Sequence, residues 1–293
     1  MRAAVAGSGD EGVSLVIKRL RHKAARTGFR APLIWLRNRG LDSSDVFLAS
    51  YPRSGSTWTR FVLYEILTGE PSSFDNVNRG IPENGIQWVA RPVLPGEGRL
   101  IKTHEPYRRE YGRAVYLVRD MRDVIFSQYS REKELGILYD DFDGYLSKFL
   151  QGRISGFGAW QKHIDSWLES PLPRRGDLLL LRFEDMRKDM EGAISQMLDF
   201  FGVEVRPEVI RAAIANNTLD RMRDKETRSK TLHQAKGGEE GRFVRKGSIG
   251  GWRERLTDAQ LKMIDTFAGE AFRRMGYPLA ATVAAARSPV LAG

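Results

Sequence analysis

The chain has no cysteine among its 293 residues. This excludes disulfide staples, thiolate nucleophiles and cysteine-ligated zinc, and it fits a reducing compartment. Histidine is almost as scarce. The four histidines, at 22, 104, 163 and 233, form no i,i+4 pair, so no metal site is expected. No run approaches about 18 uncharged apolar residues, so no transmembrane helix is expected. The opening MRAAVAGSGDEG has an acidic pair and no apolar run before it, unlike a secretory leader. A cytoplasmic protein is the expectation, with peripheral membrane contact as a further option. Acidic residues are missing altogether from 13–41.

What fills that stretch is basic and apolar. Lys18, Arg19, Arg21, Lys23, Arg26, Arg30, Arg37 and Arg39 alternate with Leu20, Phe29, Leu33, Ile34, Trp35 and Leu36. Such a segment suits an anionic membrane surface, here through residues 13–40, or an arm packed on its own domain. The whole chain carries a formal net charge of +10. That attracts nucleic acid, anionic lipid or an anionic cofactor without choosing among them. Hydrophobic residues make up 41%, a globular proportion. No linker separates two apolar cores. The expected organisation is a basic arm over 1–40, with 1–12 as a disordered tail, then one domain over 41–280 and a tail over 281–293.

The most informative segment is VFLASYPRSGSTW, residues 46–58. Its apolar start fits a buried strand, and a helical pattern begins at Trp58. Between them Pro52, Arg53, Ser54, Gly55, Ser56 and Thr57 form a turn of small residues. There the backbone can approach a ligand, with free N–H groups and a helix N-terminus favouring an oxyanion. The nucleoside-triphosphate spacing G-x-x-x-x-G-K-[ST] is absent. Further strands are expected at 100–104, 114–118 and 177–181, and helices at 58–68, 121–134, after RFEDM to about 201, at 205–222 and at 257–274. Residues 70–98, 135–158 and 223–247 read as irregular loops. Alternating strands and helices imply an α/β fold with a mainly parallel sheet covered on both faces. Ligands bind such sheets at the carboxyl ends of the strands, where Arg53, His104 and Arg119 fall.

Five collinear segments resemble the cytosolic-type sulfotransferases that use 3′-phosphoadenosine 5′-phosphosulfate (PAPS). The loop above is similar to the family's YPKSGTTW. KTHEP (102–106) is similar to KTHLP, and YLVRDMRDVIFSQY (116–129) to YVVRNPKDVAVSYY. FEDMR (183–187) is similar to YEDMK, and FVRKGSIGGWRERLT (243–257) to FMRKGxxGDWKxxFT. The resemblance implies a P-loop-like, three-layer α/β fold and in-line sulfuryl transfer from PAPS to an acceptor hydroxyl or amine, with no metal. His104 then becomes the general base, and Arg53 and Lys102 stabilise the transition state. Arginine at 53 replaces the family's lysine. It keeps the charge but is a poor proton donor. PAPS would be bound by Arg53, Ser54, Gly55, Ser56, Thr57, Trp58, Arg119, Ser127, Asn217, Thr218, Leu219, Phe243, Arg245, Lys246 and Gly247.

GFGAWQKHIDSW (156–167) resembles a GxWxxHxxxW segment bordering the acceptor pocket, which implicates Trp160 and His163. Helical spacing explains the same residues as core. By the resemblance, Phe183 replaces a tyrosine whose polar contact to the nucleotide is lost, Leu219 replaces an adenine-stacking phenylalanine, and Gly251 replaces an aspartate. The family's dimer motif KxxxTVxxxE is not met, so the oligomeric state stays open. A small-molecule or lipid acceptor is expected and nucleic acid is not. Two other classes compete: a P-loop NTPase or small-molecule kinase, and a non-catalytic basic module for nucleic acid or membrane.

Overall fold

The computed structural model describes residues 30–134, 136–137, 139, 141–230, 244 and 247–287. The expectations for the 1–12 tail, most of the basic arm, Phe243, Arg245 and Lys246 lie outside these residues. The chain falls into two compact units, 1–39 and 40–293. In the first, helix α1 (Arg30–Asn38) exposes Leu33, Trp35 and Leu36.

The second unit is built on four parallel strands: β1 (Val46–Ser50), β2 (Leu100–Thr103), β3 (Arg113–Val118) and β4 (Leu178–Arg182). Their order is β2-β1-β3-β4. β1 is central, pairing Val46 with Leu100 on one side and with Arg113 on the other. Side chains alternate between two cores, as the pleat requires. Phe47, Ala49, Ala114, Tyr116 and Val118 enter one; Val46, Leu48, Val115 and Leu117 enter the other. This is why these strands read as continuous apolar runs rather than alternating ones.

Helices close both faces. The first core takes in residues of α3 (Met121–Glu134), α4 (Phe142–Leu150), α5 (Trp160–Leu168), α10 (Asp258–Met275) and α11 (Ala280–Arg287). The second takes in residues of α2 (Ser56–Thr68), α6 (Phe183–Lys188), α7 (Met190–Phe201), α8 (Pro207–Asn216) and α9 (Leu219–Arg228). Among the described residues no helix is long and apolar enough to cross a membrane.

Four local expectations are corrected. Helix α4 stands inside the stretch expected to be irregular, started by Asp141, whose carboxylate accepts from the Gly144 amide. The single helix expected over 205–222 is two, α8 and α9. Asn217 ends the first and Thr218 caps the second, so the chain turns where a periodic pattern alone shows nothing. The loop expected from 223 begins as the end of α9, to Arg228. The tail expected from 281 begins as α11, with Val283 buried in the first core.

Candidate active site

The carboxyl ends of β1, β2 and β3 open onto a cavity of about 950 Å³. Each contributes one of the cations named above. The loop after β1 turns sharply, with Arg53 at φ 72° and Gly55 at φ 93°. A Cβ at Gly55 would sit 2.6 Å from the Phe183 ring, so glycine is required by both conformation and space. Arg53 Nε donates to Ser127 Oγ of α3 at 2.9 Å. Arg119, at the end of β3, donates through Nη1 to the Arg53 carbonyl and through Nη2 to the Ser248 carbonyl, both at 2.9 Å. Its guanidinium also lies 4.7 Å from the centre of the Phe183 ring. Phe183, expected only as a lost polar contact, is thus the apolar floor beneath Gly55 and Arg119. Burial pulls Arg119 below the ordinary guanidinium range. Its Nε is buried and has no hydrogen-bond partner among the described residues.

β2 supplies Lys102 and leads into His104. His104 Nδ1 lies 2.8 Å from the Ser50 carbonyl and 3.3 Å from its hydroxyl. A carbonyl only accepts, so the proton sits on Nδ1 and Nε2 keeps its lone pair. Burial and the Lys102 charge hold His104 down at about 3. The imidazole is therefore neutral, as a proton acceptor must be. Lys102 is itself buried and depressed, and its ammonium stands 3.5 Å from the carboxylate of Glu83. The Lys102 ammonium, with Arg60, pulls Glu83 down to about 2, so this carboxylate is ionised.

Trp160 and His163, expected at the border of the acceptor pocket, do not line this cavity. Both are buried in the first core. His163 Nε2 donates to the His104 carbonyl at 3.0 Å, and its Nδ1 accepts from the Tyr116 hydroxyl at 2.8 Å. Trp167 Nε1 donates to the Glu105 carbonyl at 3.2 Å. Helix α5 therefore grips the backbone that carries His104. Glu105, the residue of KTHEP that differs from the family's KTHLP, is buried and outside the cavity lining.

The adenine-side expectations divide. Trp58 and Leu219 line the cavity, and Trp58 Nε1 donates to the Asn217 carbonyl at 2.7 Å. Asn217 is fully buried. Its side chain is committed to Ser72, Lys225 and the Ala213 carbonyl, so it braces Trp58 rather than facing a ligand. Thr218 caps α9 and is not in the lining. Ser54 is buried outside the lining, its hydroxyl without a partner among the described residues. Ser56, Thr57 and Gly247 line the cavity.

Sequence reasoning missed Arg60 and Glu83, both in the lining. Arg60 follows the recognised loop by three residues, inside what read as plain helix. Glu83 sits in a stretch without periodicity, where nothing distinguishes one carboxylate from another.

A profile of the sulfotransferase domain matches residues 43–276. Human Sulfotransferase 2B1 is 29% identical over 240 residues, covering 75% of this chain and 64% of that protein. Flavonol 3-sulfotransferase of Flaveria bidentis is 28% identical over 265 residues, covering 80% and 84%. The fold is shared with mouse sulfotransferase SULT7A1 complexed with PAP, at a TM-score of 0.63 and 22% identity, covering 81% and 88%. It is also shared with retinol dehydratase in complex with androsterone and inactive cofactor PAP, at 0.58 and 22%, covering 81% and 83%. The chain belongs to the sulfotransferase domain family and is an enzyme of that class.

Proposed function

We propose that the chain transfers the sulfuryl group of PAPS to a hydroxyl of a small-molecule or lipid acceptor. The observation that carries this is one cavity lined by Arg53, Lys102 and Arg119 beside a neutral histidine whose Nε2 lone pair is free for a proton. Arg119, in the cavity lining, has a buried Nε without a partner among the described residues, which fits a polyanionic ligand at this loop.

PAPS supplies the group that moves. Arg119 and Ser127 suit its 3′-phosphate, Trp58 and Leu219 its base, and the amides at Ser56 and Thr57 the 5′ anion. As the acceptor oxygen bonds to sulfur, its proton passes to His104 Nε2. The bond from sulfur to the phosphate oxygen breaks, and its electron pair leaves on PAP. Arg53 and Lys102 meet the charge that builds on the sulfuryl and leaving oxygens, and such preorganised cations act where the charge develops. Arg53 cannot readily donate a proton, so its part is electrostatic. His163 holds the His104 backbone and is a positioning residue. The basic segment 13–40, whose helix α1 exposes Trp35 and Leu36, suits peripheral contact with an anionic membrane.

Calorimetric titration with 3′,5′-ADP, without magnesium, tests the site. One-to-one binding on the order of micromolar, about −8 kcal/mol, is expected, with a large loss in Arg119→Ala. No binding, or binding untouched by that substitution, sinks the assignment.

A further inference from the structure

The cavity beside His104 holds more charge than sulfuryl transfer uses. Residues 82–84 pair with the outer edge of β2. The Lys102 amide donates to the Pro82 carbonyl at 2.8 Å, and the Asn84 amide to the Lys102 carbonyl at 2.7 Å. Asn84 Nδ2 ties this segment to the Tyr111 hydroxyl at 3.0 Å. The backbone thereby fixes Glu83 against Lys102, with its side chain about half open (54%). Arg60, on α2, is only 6% exposed and lines the same cavity. One of its nitrogens donates to Asn78 Oδ1, while its Nε is buried without a partner among the described residues. Arg60 and Glu83 attract each other electrostatically.

During the proposed transfer Lys102 turns to the sulfuryl oxygens. Glu83 then loses its ammonium partner, and a charge-balanced pair remains: a donor on Arg60 and an acceptor on Glu83. An apolar acceptor would strip water from both and replace nothing. A cationic acceptor would face Arg60 and Lys102, and an anionic one would face Glu83. A neutral hydroxyl can donate to a carboxylate and accept from a guanidinium at once.

We propose that Glu83 and Arg60 read a second hydroxyl vicinal to the one that reacts. The acceptor is then a neutral vicinal diol, either a catechol or a saturated polyol. This rests on the sulfotransferase function proposed above and names its substrate class.

The test compares matched acceptor pairs with PAPS: 4-methylcatechol against 4-methylphenol, and cis-cyclohexane-1,2-diol against cyclohexanol. For at least one pair kcat/KM should favour the diol by ~10- to 100-fold, the usual worth of hydrogen bonds to charged groups. The favoured pair tells catechol from polyol. Glu83→Ala should bring that ratio close to one, Glu83→Gln should leave part of it, and 3′,5′-ADP should bind Glu83→Ala as it binds the wild type. Arg60→Met should also flatten the ratio, but Glu83, at the open side, is the safer variant should Arg60→Met fail to fold. Equal rates within both pairs, turnover of neither pair despite ADP binding, or an equal loss on diol and mono-ol in Glu83→Ala would each overturn the proposal. The last outcome would make Glu83 a holder of Lys102 only. Failure of the wild type to bind ADP would overturn the sulfotransferase assignment and the diol with it.

Discussion

At the scale of single residues, protonation is set by burial more than by residue type. His104 is an ordinary histidine in sequence, and in the fold it is held at about 3 by burial and by Lys102. Between about pH 3 and the usual 6.5 the unfolded chain takes up this proton and the folded chain does not. His104 therefore costs stability as pH falls through that window. For the proposed role of His104 as base the sign is favourable, because the unprotonated form persists on the acid side of neutrality. The profile of kcat/KM for PAPS, which reports the free enzyme, should show no acid limb near 6.5. An inflection there that disappears in His104→Asn would show that the imidazole titrates normally. His104, Lys102 and Arg53 were all legible in the sequence, because they lie in or just after apolar strands in a recognisable context. Glu83 and Arg60 were not. Glu83 reaches the site through pairing across an edge strand, and Arg60 through one face of a helix, and neither leaves a local signature.

At the scale of elements, the turn from β1 into α2 is the feature on which the site depends. Gly55 meets two demands, a left-handed φ of 93° and contact with the Phe183 ring. Gly55→Ala should destabilise the fold by about 1–3 kcal/mol, the usual cost of a forced backbone conformation, with the clash adding to it. Urea denaturation measures this. Adding Phe183→Ala should relieve the clash but not the φ strain, leaving part of the loss. Full recovery in the double variant would show that φ contributes nothing. Helix α5 carries a related lesson. Its Trp160, His163, Ile164 and Trp167 share a face, and periodicity left core and pocket as equal options. The partners of His163, the Tyr116 hydroxyl and the His104 carbonyl, place that face in the core while keeping it in touch with the site.

At the scale of the whole molecule, the excess of positive charge resolves into distinct groups. Arg53, Lys102, Arg119 and Arg60 converge on the cavity from separate elements, while the basic residues of the arm up to Arg39 belong to another unit. If that segment contacts anionic membranes, the full chain should sediment with phosphatidylserine vesicles, weakly at high salt, and a chain lacking residues 1–40 should not. Equal sedimentation by both would end the membrane assignment.

The α/β class, the parallel strands, the small-residue turn after β1 and the family were all legible along the chain. These rest on local patterns: apolar runs, small residues in a turn, and motifs in order. Packing alone reveals that Asn217 braces Trp58, that His163 bonds the His104 carbonyl, and that Glu83 and Arg60 line the same cavity as His104. Those outcomes depend on contacts between residues far apart in the chain. Burial, hydrogen-bond partners and charge neighbours exist only once the strands and helices have packed.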